Sequence, residues 1–376
     1  MTQRAIRNPT MELCVARSPR VEPIWRELEA RAQPSYFQTW GWIENWLAFV
    51  PRDAAPQLAT FTGADGVVEA ACFLARRRVF RRHLLPTRTV FFNETGVPHI
   101  DAVCVEHNGL LRAQGTHLTL AALLALLPDC DELRLSALAP DAFVDLGSGS
   151  GHRVRIEREV ASPFVDLAAV RAADGGYPSL LGSSTRANLR RGQRRIGEHA
   201  LEVAASVEQA LEIYGELVAL HTTSWRERGE PGAFADPWFE RLHRRLITRR
   251  FASGEIQLVR LRAGTTTLGC GYHFVSSGRV LFYQSGLARH ADPVVKPGYL
   301  LHAAAIEHAA RAGHTIYDFL AGDAPYKRSL STGAIRMTWA CVQRELARFA
   351  VEDQLRRWKH GFSAWRRRIR TSAAGS

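Results

Sequence analysis

A chain of 376 residues is longer than one hydrophobic core ordinarily serves, so two domains of ordinary size are expected. Apolar residues at 46% beside charged residues at 23% exclude an intrinsically disordered chain, and the longest apolar run, Leu118 to Leu127, is too short to cross a bilayer. The 49 Lys and Arg against 37 Asp and Glu leave a net charge of +12, which suits phosphates, acidic polymers or an anionic membrane surface without choosing among them.

The N-terminus, MTQRAIRNPTMELCVARSPR, carries charges where a secretory signal needs an apolar core, so a cytoplasmic location is expected. A Trp-bearing amphipathic helix, TWGWIENWLAFV, is followed from Gln57 by a hairpin, QLATFTGADGVVEAACFLA, whose turn holds Ala64, Asp65 and Gly66. Arg76, Arg77, Arg78, Arg81 and Arg82 crowd the end of its second strand. A strand (TRTVFF), a helix (GTHLTLAALLALL) and a last strand (ELRLSAL) complete this half. GSGSGH, from Gly147 to His152, then punctuates the chain.

Past that junction, STRANLRRGQRRI predicts a helix capped by Ser184, with Arg186, Arg190 and Arg194 forming a basic stripe at four-residue spacing. Such a stripe is either a solvated face or an anion contact. DPWFERLHRRLITRRF is a second Trp-bearing helix, and QLVRLRAGTTTLGCGYHFV from Gln257 is a second hairpin. RVLFYQSG, GYLLHAAAIEHAARA and TIYDFL supply strand, helix and strand in the same order as before. Five successive elements in matching order indicate duplicated α+β domains, although helix, hairpin, strand, helix and strand is also a common recipe. The expected division is residues 1–150, residues 151–353, and a basic segment 354–376. In that last segment Arg356, Arg357, Lys359, Arg366, Arg367, Arg368 and Arg370 interleave with Trp358, Phe362 and Trp365. It reads as a C-terminal helix that either caps the core or lies on an anionic membrane surface.

Cys14, Cys72, Cys104, Cys130, Cys270 and Cys341 form no CxxC pair, and His302 and His308 are six residues apart on a predicted helix. Neither a disulfide framework nor a metal site is expected.

The chemistry is expected in the second half. Gln284, Ser285 and Gly286 interrupt an apolar strand, which predicts that it splays there. Pro297 and Gly298 open the next helix, so the backbone N–H groups of Tyr299 and Leu300 at the positive end of its dipole, beside Lys296, are expected to form an anion site. Asp318, Asp323, Tyr326 and Lys327 gather just past the last strand. The first half has a helix-opening Gly115 but no such ionisable cluster.

At these residues the sequence resembles the GNAT superfamily of acyltransferases, in particular its CelD-like branch, associated with bacterial cellulose and exopolysaccharide gene clusters, which shares a fold with FemAB-like peptidyltransferases. The resemblance is carried by HTTSWRERGEPGAF from His221 to Phe234, by KPGYLLHAAAIEHA, by YDFLAGDAPYKRSL from Tyr317, by WGWIENWLAF near Trp40 and by STRANLRR. It implies two tandem GNAT-like domains, each a mixed central sheet flanked by helices, with the acyl donor in the second and the acceptor in the cleft between them. The implied activity is acyl-CoA-dependent N-acylation of an amine on a sugar or amino-acid derivative, with acetyl-CoA or a longer acyl-CoA as cosubstrate. The usual pyrophosphate loop is reduced here to Lys296, Pro297 and Gly298, and FemAB-like relatives with degenerate loops use aminoacyl-tRNA. The donor therefore stays open between acyl-CoA and aminoacyl-tRNA, and a non-catalytic protein that binds polysaccharide or membrane is a third reading.

Acylating an amine needs a polarised carbonyl, a base for the amine proton and an acid for the leaving group. Backbone N–H groups around Ser285, Gly286 and Leu287 are expected to polarise the carbonyl, with Gln284, Lys296, Gly298, Tyr299 and Lys327 holding the donor. Tyr326 is the expected acid. Asp318 is the expected base if burial raises its pKa, with His221 the alternative. Trp225 and Arg186 are expected at the acceptor.

Overall fold

The computed structural model describes residues 4–6, 9–63, 65–81, 85–103, 105–118, 120–144, 152–352 and 354. The Gly147 junction, Ala64, Arg82, Cys104 and nearly all of the basic C-terminal segment lie outside the described residues. Each half builds the same series. In the first, strand β1 (Thr10–Val15) and helices α1 (Val21–Ala30) and α2 (Trp40–Phe49) precede the hairpin β2 (Gln57–Thr62) and β3 (Val68–Arg81). Strand β4 (Leu85–Phe92), helix α3 (Leu120–Ala125) and strand β5 (Glu132–Leu138) follow. A long strand, β6 (His152–Asp166), leads to the second half. There, helix α4 (Ser183–Ile196), strand β7 (Ala200–Val203), and helices α5 (Val207–Arg226) and α6 (Pro237–Arg250) precede the hairpin β8 (Ile256–Ala263) and β9 (Thr266–Ser276). Strand β10 (Arg279–Leu287), helix α7 (Pro297–Arg311), strand β11 (Ile316–Asp318), helix α8 (Pro325–Leu330) and strand β12 (Gly333–Arg344) end the series.

The local chemistry agrees with these boundaries. The two tryptophan helices start on polar caps: the Thr39 hydroxyl accepts from Trp42 N–H and the Asp236 carboxylate from Trp238 N–H. Each hairpin turns on a glycine with positive φ, Gly66 at 76° and Gly264 at 55°. One expectation is corrected: α4 begins after Gly182 and no side chain caps it, so Ser184 lies inside its first turn.

All these strands join one sheet in the order β7, β8, β9, β10, β11, β6, β12, β5, β4, β3, β2, β1. The two halves exchange their final strands. β6, which follows the first half, pairs with β11 of the second, and β12, which follows the second, pairs with β5 of the first. β6 and β12 then run antiparallel to each other at the centre. Helices of both halves share one apolar layer, in which Tyr36 stacks on Phe274 with ring centroids 4.2 Å apart and the Asn45 amide donates to the Leu242 carbonyl at 3.1 Å. Separate clusters under α7 and under α3 fill the opposite face. Among the described residues no helix is long and apolar enough to cross a membrane.

Within this sheet each half has one parallel pair among the described residues, and its strands part just beyond the pairing. β10 pairs β11 only from Arg279 to Leu281. β4 pairs β5 only from Thr89 to Phe91. The two gaps differ. In the first half Asn108 enters between the strand ends, its N–H donating to the Ala137 carbonyl and its side-chain amide to the Phe92 carbonyl. Beside it remains a cavity of about 560 Å³ bordered by Phe92, Asn108 and Leu138. The gap in the second half opens into a cavity of about 1100 Å³.

Helix α5 is seated against that open gap by one glycine. A Cβ at position 286 would stand 2.3 Å from the Leu217 carbonyl oxygen, a backbone atom that cannot swing aside. Gly286 therefore lets α5 lie on β10, and His221, one turn after Leu217, reaches Ser285. Gly286→Ala is expected to cost about 1–3 kcal/mol by overpacking. Urea unfolding checks this, and an unchanged midpoint would show that α5 does not need the close approach.

Candidate functional site

The expected splay is present, and its backbone geometry follows from register. Tyr272 opposes Gln284 while His273 opposes Phe282, so Tyr283 is an extra residue bulged out of β10. Ala288 N–H donates to the Leu268 carbonyl. Since backbone groups alternate sides along an antiparallel strand, Gly286 faces β9, and Ser285 and Leu287 turn their N–H groups into the gap. The Ser285 carbonyl does point away from β9, because it accepts from His221 Nδ1 at 3.1 Å.

That hydrogen bond assigns the histidine's chemistry. A carbonyl only accepts, so Nδ1 carries the proton and Nε2 keeps a lone pair. Burial pushes the His221 pKa below its ordinary value, against the smaller opposing pull of the Ser285 hydrogen bond, and the ring is neutral at pH 7. Nε2 is buried and has no hydrogen-bond partner. Trp225 stacks on one side of the ring, with centroids 5.5 Å apart, and Phe234 meets it edge-on.

The aromatic floor of the cavity is built by Phe282, Phe319, His302 and Tyr326. Tyr326 stacks on His302 at 5.5 Å, and burial pushes its phenol up to about 12, so it holds its proton at neutral pH. His302 Nδ1 hydrogen-bonds the Tyr317 hydroxyl at 3.0 Å, which also meets His273 Nε2 at 3.0 Å. Burial drives His302 down to about 3, so this buried chain is uncharged.

At the mouth, Lys296 places its ammonium over the Tyr299 ring. The expected anion site is narrower than the sequence suggests. Tyr299 N–H and Leu300 N–H both go to the Lys296 carbonyl, at 3.0 and 3.3 Å, because the first turn of α7 tightens. Gly298 N–H meets no carbonyl among the described residues and is the donor left at the helix start. Lys327 turns its ammonium onto the Leu320 and Ala321 carbonyls at 3.1 and 3.0 Å.

Of the residues expected from sequence, His221, Trp225, Gln284, Ser285, Leu287, Lys296, Gly298, Tyr299, Tyr326 and Lys327 line this one cavity. Gly286 lies beneath it. Arg186 is absent from the lining: α4 packs Leu189 inward, while Arg190 and Arg194 are exposed.

Asp318 requires a correction. Burial alone would raise its pKa, as expected, but the His107 hydrogen bond and charge, together with Arg279, outweigh it and hold the carboxyl at about 2. Oδ2 accepts from His107 Nε2 at 2.9 Å and from Arg279 at 2.7 Å. Oδ1 accepts from the Ser162 hydroxyl at 3.1 Å and from Leu320 N–H at 2.8 Å. A carboxylate with four donors and a depressed pKa is a poor proton acceptor at neutrality. Its work is positional: His107 and Leu320 both have left-handed backbones, with φ of 49° and 58°, and Asp318 holds both.

Among the cavity residues that sequence reasoning missed are His302, Arg289 and Glu106. His302 was legible only as part of an apolar helix, and Glu106 belongs to the first half.

Residues 183–328 match the family model described as an acetyltransferase (GNAT) domain. No curated protein sequence matches the chain. Among solved structures it is similar to FemX, at 10% identity over 89% of this chain and 97% of that one with a TM-score of 0.53. It is also similar to a conserved protein of unknown function from Bacteroides thetaiotaomicron, at 11% over 86% and 97% with a TM-score of 0.51. A tandem GNAT protein from the clavulanic acid biosynthesis pathway matches at 14% over 90% and 98%, with a TM-score of 0.47. At these identities the likeness is one of fold. The chain has an α+β architecture like that of FemX, and the stretch that matches the acetyltransferase (GNAT) model, residues 183–328, lies in its second half.

Asp318→Asn is expected to destabilise the protein by about 3–5 kcal/mol, because Arg279 loses its buried counter-charge. A carboxyl whose folded pKa lies below its unfolded one contributes stability that is complete above about pH 4 and lost as pH falls through about 2. The gap between wild type and Asp318→Asn should therefore narrow across that window. Denaturant titrations at pH 2, 3, 4 and 6 measure it, and a pH-independent gap would remove the ion pairs as its cause.

Proposed function

We propose that this protein transfers an acyl group from an acyl-CoA to the amine of a sugar or amino-acid derivative, directly and without an acyl-enzyme. The observation that carries the reading is the open gap between β10 and β11, where Ser285 and Leu287 N–H groups, neutral His221 and protonated Tyr326 border one cavity. The residues at its mouth fit a phosphate-bearing donor: Gly298 N–H is open at the start of α7, Lys296 adds a cation, and Arg289 also lines the entrance.

An acyl thioester supplies an activated carbonyl when bound. Ser285 and Leu287 N–H groups polarise its oxygen, in a site whose buried, preorganised dipoles need no rearrangement as charge develops. His221 Nε2, through its lone pair, takes the proton of the attacking amine, directly or through one water. Tyr326 gives its proton to the departing sulfur. The C–N bond forms as the C–S bond breaks, and the proton on His221 returns to the phenolate through solvent. Trp225 walls the acceptor side. The likeness of the sequence to the cellulose-associated branch supports a saccharide acceptor. The basic face of α4 favours a second reading, with aminoacyl-tRNA as donor.

Acetyl-CoA and longer acyl-CoAs at saturation are expected to raise the melting temperature by ligand linkage. Lys296→Ala should lower that shift. No shift with any acyl-CoA, together with a shift from aminoacyl-tRNA, would transfer the proposal to the second reading. His221→Gln is expected to lower kcat about 10²–10⁴-fold. Because the wild-type His221 pKa lies below the ordinary 6.5, activity should hold to below pH 6.5 before it falls. Tyr326→Phe should lower kcat while leaving donor binding unchanged. Thiol release across pH measures both, and wild-type rates in either variant would displace that residue from catalysis.

A further inference from the structure

Glu106 is an acid of the cavity wall that no cation meets at ion-pair distance among the described residues. Its side chain is buried, with 8% of its surface exposed, and it enters the cavity from the first half. Oε2 accepts from Ala321 N–H at 2.6 Å. Among the described residues no lysine, arginine or histidine comes within ion-pair distance of its carboxylate. The other acids of the wall are matched: Glu216 lies 3.0 Å from Arg260, and Glu227 lies 3.9 Å from Arg289. Burial raises the Glu106 carboxyl above its ordinary range against the weaker pull of the Ala321 N–H, Lys327 and His107; Lys327, on α8, acts from beyond ion-pair distance and donates its ammonium to the Leu320 and Ala321 carbonyls.

A buried carboxylate without a cation is costly, and proteins ordinarily answer it with a paired side chain or with bound ligand. Here the neighbouring residue is held rigidly. His107 donates to Asp318, so Glu106 is aimed across the seam by a link that belongs to the second half. Its position is built, and it does not drift with a surface loop.

We infer that Glu106 is the specificity residue for the acceptor: its carboxylate takes a cationic nitrogen, an ammonium, of the molecule to be acylated. The inference rests on the acyl-transfer reading of this cavity and deepens it. The donor end of the cavity is cationic, at Lys296, Arg289 and Gly298 N–H, while the acceptor end carries an anion supplied by the first half. Two ends of opposite charge orient two substrates of opposite charge, which keeps the phosphate-bearing donor out of the acceptor position. The first half, whose own gap is bridged by Asn108, thus contributes recognition and no chemistry of its own.

The test measures acceptor binding apart from catalysis. The full chain is titrated by calorimetry with glucosamine, lysine and 1,5-diaminopentane, and with N-acetylglucosamine, norleucine and 1,5-pentanediol as partners lacking the corresponding free amine. Wild type is expected to bind at least one cationic member about tenfold more tightly than its partner. Glu106→Gln, isosteric and retaining an acceptor for Ala321 N–H, should abolish that preference, and Glu106→Asp should restore part of it. An unchanged melting temperature in Glu106→Gln separates loss of the charge from loss of fold. In thiol-release assays with the best amine, Glu106→Gln should raise KM about tenfold with little change in kcat. Binding of the neutral partners as tight as the amines, equal binding by Glu106→Gln, or no binding of any amine would each overturn the inference. Acyl-CoA-dependent melting shifts read the donor site separately, so failure of this inference is distinguishable from failure of the proposed function.

Discussion

A single buried carboxylate joins the parts of the site. Asp318 ends the short strand β11, and burying its charge is tolerable only because four donors converge on it. They come from four places: the first half at His107, the exchanged strand β6 at Ser162, strand β10 at Arg279, and the loop beyond β11 at Leu320. Two of these residues, His107 and Leu320, sit in left-handed backbone conformations that a side chain adopts at a cost of about 1–2 kcal/mol. The ion pair stabilises both bends together. One bend aims Glu106, and the other places the loop that leads into α8, which carries Tyr326 and Lys327.

The repeated architecture explains why only one half keeps its gap open. Both halves part their strands at the end of a short parallel pair, which is where a ligand can enter a sheet. In the first half Asn108 occupies that position and uses its backbone and amide to satisfy the strand ends. The residues just before it, Glu106 and His107, go instead to the second half's gap. The same segment bridges one gap and furnishes the wall of the other. The exchange of β6 and β12 fastens this arrangement, because each half's sheet is completed by a strand whose sequence lies outside it.

Much of this was legible in the chain because local signals encode local structure. The alternating hairpins and the tryptophan helices could be read from residue type and spacing. Gln284, Ser285 and Gly286 announced the break in β10 because glycine there removes a side chain that α5 would strike. Where reasoning failed, a competing backbone or side-chain partner decided the outcome. Tyr299 and Leu300 N–H groups turned back to the Lys296 carbonyl, and Gly182 displaced Ser184 as the residue before α4. Burial of Asp318 was foreseen, but its donors were not, since His107 stands more than two hundred residues away in sequence.

By itself, the sequence determined the α+β recipe, the internal repeat, the break in β10, and ten of the residues that border the cavity. These follow from period, turn chemistry and helix signals, which act over a few residues. Only the tertiary structure decided that β6 and β12 change places, that Asp318 holds the seam as a carboxylate with four donors, and that Glu106 reaches the second half's cavity. Those outcomes depend on which distant groups meet in a buried place, where an unpaired charge is costly and its partners settle its role.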